Sequence, residues 1–278
     1  MSSAPDIQPP TPLGTRLASN LFRGPLFFML TGLFGSMSLA ASCLEKDGRW
    51  QHAIARLWGR TSLWAAGARV TVIGRENLPP AAVYASNHTS FMDTPLVFAS
   101  LPFQFRILAK QSLWKWPFIG WHLNRSGQIP VDEDSNSSAI AGLNRAIRVL
   151  KEGMPIFIFP EGGRTKDGQM RPFMKGPAYI AIRGRSPLVP MALIGTYELL
   201  PIHTHHFRPR PIKLVIGRAI DPSAYSIRQV DELTARLRAD ILDLYECYAA
   251  PGDLKGGLAA PADGQPLESP VEASRGDA

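Results

Sequence analysis

Cysteine is almost missing from this chain: Cys43 and Cys247 are the only two, one inside an apolar run and the other near the end of a predicted helix. Two isolated cysteines supply neither a zinc-ligand spacing nor a disulfide framework, so a reducing compartment is the default expectation. Long hydrophobic runs are equally scarce. Only one stretch is long enough to matter for a bilayer, which excludes a polytopic membrane protein although 45% of the residues are hydrophobic. No internal repeat is present, so a solenoid or propeller is excluded. Acidic residues are outnumbered, 23 against 30 Lys and Arg, leaving a net charge of +7 and a pI near 9.6. That excess predicts an anionic partner. The positive charge is dispersed rather than gathered into a stripe, and an apolar segment leads the chain, so no nucleic-acid partner is predicted.

What is present divides into four parts. Residues 1–20 are rich in Ser and Pro at their start and read as a disordered lead-in. Residues 21–67 read as a pair of membrane-associated helices. The first, from Gly24 to Leu44, carries no charge over 21 positions, about the length that crosses a bilayer. Its Gly and Ser content keeps a re-entrant or interfacial helix open beside a spanning one. The run is longer than the apolar core of a cleaved signal peptide and is read as retained. The second helix, from about Arg49 to Gly67, mixes Trp50, Trp58 and Trp64 with Arg56 and Arg60. Rings and cations together suit a lipid headgroup interface. Packing against the main domain explains the tryptophans equally well.

Residues 68–249 form the third part, in which short β-rich runs alternate with helical stretches. Strands are predicted at 70–73, 82–86, 106–109, 128–131, 156–159, 189–194 and 212–216. Helices are predicted at 94–100, 137–152, 175–183 and 230–248. This alternation predicts an α/β domain: a mostly parallel central sheet of about seven strands flanked by helices, preceded by the helical anchoring motif. The fourth part, residues 250–278, turns to Pro, Gly, Ala and Ser, a composition that cannot bury enough apolar surface to order itself.

Two constellations carry chemistry. Asn87-His88-Thr89-Ser90-Phe91-Met92-Asp93 follows the apolar run Val83-Tyr84-Ala85-Ser86, which places it at the carboxyl edge of the sheet, where α/β proteins hold ligands. An imidazole at His88 can take a proton from a hydroxyl, and Asp93 can fold back to orient the ring, as the carboxylate does in a catalytic triad. The competing reading has Asp93 cap the following helix and His88 solvate a loop. Ile156-Phe157-Ile158-Phe159-Pro160-Glu161-Gly162-Gly163-Arg164-Thr165 is the second constellation. Its glycines allow close approach of a ligand, and Arg164 offers a planar fork for phosphate oxygens. Glu161 can hold a glycerol hydroxyl or orient Arg164; the competing reading is a surface ion pair. Because both turns follow strands, one sheet edge can hold base, carboxylate and anion clamp together.

These blocks resemble the glycerolipid acyltransferases typified by 1-acylglycerol-3-phosphate acyltransferase, over roughly residues 82–194. The resemblance implies His88 as base with Asp93 as its partner, in a block led by Asn87, which is counted with the acceptor-binding residues. Ala109-Lys110-Gln111-Ser112-Leu113, with Pro117 and Gly120, resembles the second block and implies Lys110 as a phosphate contact. Phe159-Pro160-Glu161-Gly162-Gly163-Arg164 resembles the third and implies Glu161, Gly162 and Arg164 in acceptor binding. Phe173-Met174-Lys175-Gly176 resembles the element after it, with one residue inserted and Lys175 as its cation. Leu188-Val189-Pro190-Met191 resembles the fourth, whose proline, Pro190, helps shape the acyl site. Two departures stand out. Val131-Asp132-Glu133-Asp134 replaces an expected Asp-Arg, and Gly163 stands where Thr or Ser is common.

The resemblance implies acyl transfer from acyl-CoA or acyl-carrier protein to lysophosphatidic acid or a similar lyso-lipid. Neither a metal nor an organic cofactor is implied, since a thioester is already activated. The uncharged Gly24–Leu44 run predicts a membrane-associated protein, and the Ala, Arg and Pro content points to a bacterial source, so the expected place is the cytoplasmic face of a bacterial inner membrane. A lyso-ornithine lipid or another lysophospholipid as acceptor, and a non-catalytic lipid-binding relative, are the alternatives. Trp114-Lys115-Trp116-Pro117-Phe118 reads as acyl-groove lining, as core or as an interfacial loop. His203-Thr204-His205-His206 reads as a solvated connection rather than a metal site.

Overall fold

Strands whose side chains are apolar in succession must be covered on both faces, and that requirement dictates a parallel sheet between two helical layers. The computed structural model describes residues 11–116, 119–132, 136–165, 167–202, 204, 206–250 and 253. Seven strands form one sheet: β1 (Arg69–Ile73), β2 (Val83–Ser86), β3 (Arg106–Lys110), β4 (Ile129–Val131), β5 (Ile156–Ile158), β6 (Leu188–Ile194) and β7 (Pro211–Ile216). Their order is β1-β7-β6-β2-β5-β3-β4, and every pairing is parallel except β6 with β7.

The helices are α1 (Leu13–Ala18), α2 (Gly24–Leu44), α3 (Arg49–Ala66), α4 (Asp93–Ser100), α5 (Ile119–Arg125), α6 (Asn136–Lys151), α7 (Gly176–Gly184), α8 (Thr196–Leu199) and α9 (Val230–Tyr248). Alternation along the strands sorts the core into two layers. Tyr84, Phe157, Val189, Met191 and Leu193 face α3 and α4, meeting Ala55, Leu63, Leu96 and Phe98. Val83, Ala85, Ile156, Ile158 and Leu188 face the other way, against Leu150 of α6, Ile180 of α7 and Leu237 of α9. Close approach of α3 to α4 depends on Gly59: a Cβ there would stand 2.5 Å from the Pro95 carbonyl oxygen.

At the N-terminus, α1 and α2 join through one wider, π-type turn at Ser19–Arg23 into a helix that runs from Leu13 to Leu44 and is long and apolar enough to cross a membrane. The expected lead-in is therefore helical from Leu13 onward rather than disordered to residue 20. The physical reason lies in tertiary contacts: the buried Ser19 hydroxyl accepts the Phe207 N–H at 2.8 Å, and Asn20 Oδ1 lies 3.0 Å from His206 Nδ1. Residues 1–10 and 254–278, the outer parts of the predicted lead-in and tail, lie outside the described residues, as do Pro117, Phe118, Glu133, Asp134, His203 and His205.

Along α2, Phe28, Met29, Leu33 and Met37 are exposed. On α3, Trp50, Leu57 and Trp64 are exposed too, spaced seven residues apart so that they share one stripe. Trp58 packs inward instead, where its Nε1–H donates to Thr31 Oγ1 at 3.1 Å and links α3 to α2. Trp58 thus follows the packing reading, while Trp50 and Trp64 remain exposed. Trp116 is also exposed, at 63%, which excludes the core reading for that ring.

Candidate active site

β2 and β5 are paired in parallel, Val83 with Ile156 and Ala85 with Ile158, so the turns that follow them leave the same edge of the sheet side by side. The first turn is pinned at once. Asn87 is buried, and its amide exchanges two hydrogen bonds with Leu193 of β6: Nδ2–H donates to the carbonyl at 2.9 Å and Oδ1 accepts the N–H at 2.8 Å. His88 follows, its ring stacked on Phe159 at a centroid distance of 3.9 Å and 16° between planes.

Asp93, the first residue of α4, is fully buried, and a single oxygen, Oδ2, accepts three bonds. The donors are the Thr89 N–H at 2.7 Å, the Ser90 N–H at 2.8 Å and His88 Nδ1 at 2.9 Å. A carboxylate can only accept, so Nδ1 carries the proton of this bond, and in the neutral ring Nε2 keeps its lone pair. The bonds run backward to the turn and not forward into α4, which excludes the reading of Asp93 as a helix cap. His88 keeps 16% of its side chain exposed, and Nε2 has no hydrogen-bond partner among the described residues.

The second turn clamps the first. Glu161 Oε1 accepts the His88 N–H at 2.7 Å, and Oε2 accepts the Arg171 N–H at 2.9 Å. Burial pushes this carboxyl up to about 8; the Arg171 and His88 N–H bonds pull the other way, and the Asp93 charge adds to the rise. Gly162 supports the turn with φ +67°, a left-handed conformation that a side chain rarely adopts. The Arg164 guanidinium carbon lies over the Phe91 ring, 3.4 Å from its centroid. Burial lowers its pKa and the nearby Asp93 charge raises it.

Of the residues predicted to form a site, His88, Asp93, Glu161, Gly162 and Arg164 converge. Lys110 is exposed at the carboxyl end of β3, which pairs with β5, so it stands at the same edge one strand further out. Three residues predicted to touch substrate are turned elsewhere. Asn87 spends its amide on Leu193 because a buried peptide group at the strand end needs partners. Lys175 Nζ lies 2.7 Å from Asp231 Oδ1, across α7 and α9. Pro190 is buried in β6 on the face opposite Val189 and Met191, near Gly217, and so belongs to the α9 layer rather than to the His88 layer. Phe159 and Phe91 both lie inside the two motifs, but an apolar residue beside a polar turn carries no sequence signal of a site role until its ring is placed.

The family model described as Acyltransferase matches residues 69–194. A 1-acyl-sn-glycerol-3-phosphate acyltransferase of Borreliella burgdorferi is 39% identical over 190 residues, 67% of this chain and 76% of that one. One from Chlamydomonas reinhardtii is 32% identical over 222 residues, 77% of this chain and 66% of the relative. A chloroplastic one from Arabidopsis thaliana is 31% identical over 212 residues, 72% of this chain. The chain thus spans 66% and 58% of the length of these last two. Among solved structures, the 1-acyl-sn-glycerophosphate acyltransferase of Thermotoga maritima superposes with a TM-score of 0.69 at 27% identity, covering 81% of this chain and 94% of that one.

Proposed function

This chain belongs to the acyltransferase family, and from that premise we propose that it transfers a fatty acyl group to the free hydroxyl of 1-acylglycerol 3-phosphate, giving phosphatidic acid. The donor is a thioester, acyl-CoA or acyl-carrier protein. One observation carries the reading: Asp93 occupies His88 Nδ1 at 2.9 Å, leaving Nε2 as an oriented base on the sheet edge that also holds the Arg164 guanidinium.

The steps follow from those groups. Arg164, with Lys110 further along the edge, binds the acceptor phosphate by charge-assisted hydrogen bonds. His88 Nε2 removes the proton from the acceptor hydroxyl as its oxygen attacks the thioester carbonyl. Asp93 stabilises the imidazolium so formed. The tetrahedral intermediate collapses, the carbon–sulfur bond breaks, and the leaving thiolate takes the proton from Nε2. Glu161 acts in this scheme through His88, holding its backbone N–H and tying it to Arg171.

Membrane association belongs to the same proposal. The Leu13–Leu44 helix, whose uncharged stretch from Gly24 to Leu44 follows Arg16 and Arg23, and the exposed Trp50, Leu57 and Trp64 stripe support a bilayer-seated protein whose acceptor arrives from the lipid phase. Both cysteines are free and exposed, which suits the cytoplasmic face of a bacterial inner membrane.

The test is acyl transfer from radiolabelled acyl-CoA to lysophosphatidic acid by detergent-solubilised wild type and His88→Ala. Activity that collapses in the variant is expected. Robust transfer by both would refute the role of His88, and a silent wild type, also with acyl-carrier-protein donors, would refute the acceptor.

A further inference from the structure

Arg164 is the cation on which acceptor binding depends in the scheme above, yet its own anchorage is unusual. No described residue accepts a hydrogen bond from its guanidinium. Gly162 sits at φ +67°, and Gly163 is so open that a Cβ would meet nothing closer than Arg171 Nη1 at 3.6 Å. A long, rotamer-rich side chain at the end of a two-glycine turn loses considerable freedom when it must meet a phosphate in one geometry.

What it does have is a ring. The guanidinium carbon lies 3.4 Å from the Phe91 centroid, close enough for face stacking and within the range of a strong cation–π contact. Stacking uses the face of the guanidinium and leaves its in-plane N–H donors uncommitted, unlike an ion pair with a carboxylate, which would consume them. Phe91 is itself well placed. It is two residues before Asp93 in the turn whose backbone N–H groups that carboxylate holds, so the ring is built on the same rigid frame as His88. Half of the side chain remains exposed, so core packing does not account for a phenylalanine here.

We propose that Phe91 is the positioning residue for Arg164, a stacking platform that holds the guanidinium beside His88 with its donors free for the acceptor phosphate. The inference rests on the acceptor assignment made above. Through it the two motifs are coupled twice: Glu161 of the second turn holds the His88 backbone of the first, and Phe91 of the first turn holds the Arg164 side chain of the second. The first contact orients the base, and the second sets acceptor affinity.

The experiment is steady-state acyl transfer by wild type, Phe91→Leu, Phe91→Met, Phe91→Tyr and Phe91→Trp, varying acceptor and donor separately. Loss of the ring face in Phe91→Leu should raise KM for lysophosphatidic acid about three- to tenfold. Its kcat and its KM for acyl-CoA should stay within about twofold of wild type. Phe91→Tyr and Phe91→Trp should restore the acceptor KM, whereas a role in packing alone would be served by leucine or methionine as well. Should Phe91→Leu fail to fold, the comparison of Phe91→Met with Phe91→Tyr reads the same contrast. An unchanged acceptor KM in the folded aliphatic variants, or equal losses in aliphatic and aromatic ones, overturns this inference and leaves the acceptor assignment standing. A wild type that ignores lysophosphatidic acid overturns both.

Discussion

Replacing Asp93 by Asn isolates the charge of the carboxylate from its geometry, and the structure makes the outcome specific. One oxygen, Oδ2, takes all three bonds, from His88 Nδ1 and the Thr89 and Ser90 N–H groups, while Oδ1 is buried with no partner among the described residues. An asparagine can place its carbonyl at the Oδ2 position and keep every bond, with its NH2 at the Oδ1 position. The imidazole then keeps its proton on Nδ1, and only the negative charge that steadies the imidazolium is lost. A hydrogen bond to a charged group contributes about 1.5–3 kcal/mol, and each 1.36 kcal/mol is about tenfold in rate, so kcat should fall roughly 10- to 150-fold. That is well short of the roughly 10⁴-fold loss known for a protease triad, where the same change leaves the wrong tautomer. Two buried amide hydrogens without acceptors should cost a further ~1–3 kcal/mol of stability, a melting-temperature drop of a few degrees. The assay is acyl transfer at saturating donor and acceptor, with a thermal melt of each protein in the same detergent. A folded variant within about threefold of wild-type kcat would show that the charge is not used. A loss near 10⁴-fold would show that the amide had turned its NH2 to His88, contrary to the bonding seen here.

Two further outcomes follow from burial and packing. Glu161 titrates near 4.5 when exposed and is pushed up to about 8 by burial, so between those values the folded chain binds a proton that the unfolded chain has released. Stability should therefore fall as pH rises through that window. The melting temperature should drop from pH 5 to pH 8.5 and drop less in Glu161→Gln, and equal slopes in the two proteins would refute the assignment. At the α3–α4 contact, Gly59→Ala puts a methyl 2.5 Å from the Pro95 carbonyl oxygen and 3.1 Å from the Ala99 nitrogen, and should destabilise by ~1–3 kcal/mol in a denaturant melt. An unchanged midpoint would mean that the two helices can separate freely.

Much of this architecture is legible in one dimension. Ile156–Ile158 and Leu188–Ile194 are buried on both sides, so their apolar runs are continuous and the parallel sheet can be read from them with boundaries close to those observed. The long apolar helix and the His88–Asp93 pair are legible for a related reason: each depends on composition or on a spacing of a few residues within one segment. The short α5 is not legible in this way, since its seven residues give little periodicity and its hold on α2 is a tertiary one, His122 Nδ1 to Ser38 Oγ at 2.7 Å.

Side-chain roles within the motifs divide along the same line. Asn87 reads as a polar group ready for substrate until Leu193, 106 residues further on, claims both ends of its amide. Glu161 reads as a ligand until the His88 and Arg171 N–H groups occupy its oxygens, and Pro190 reads as site-lining until strand alternation turns it to the opposite layer. Nothing in the sequence marks Phe91 apart from its motif until Arg164 lies on it. Sequence alone therefore determined the class of chemistry, because an imidazole, a carboxylate and a guanidinium carry their chemistry wherever they stand. Which of them are free to meet a ligand and which brace the frame was decided only by the tertiary structure, because a hydrogen-bonding group is spent on whichever partner folding brings within 3 Å, and some of those partners, Leu193 for Asn87 and His88 for Glu161, lie far away along the chain.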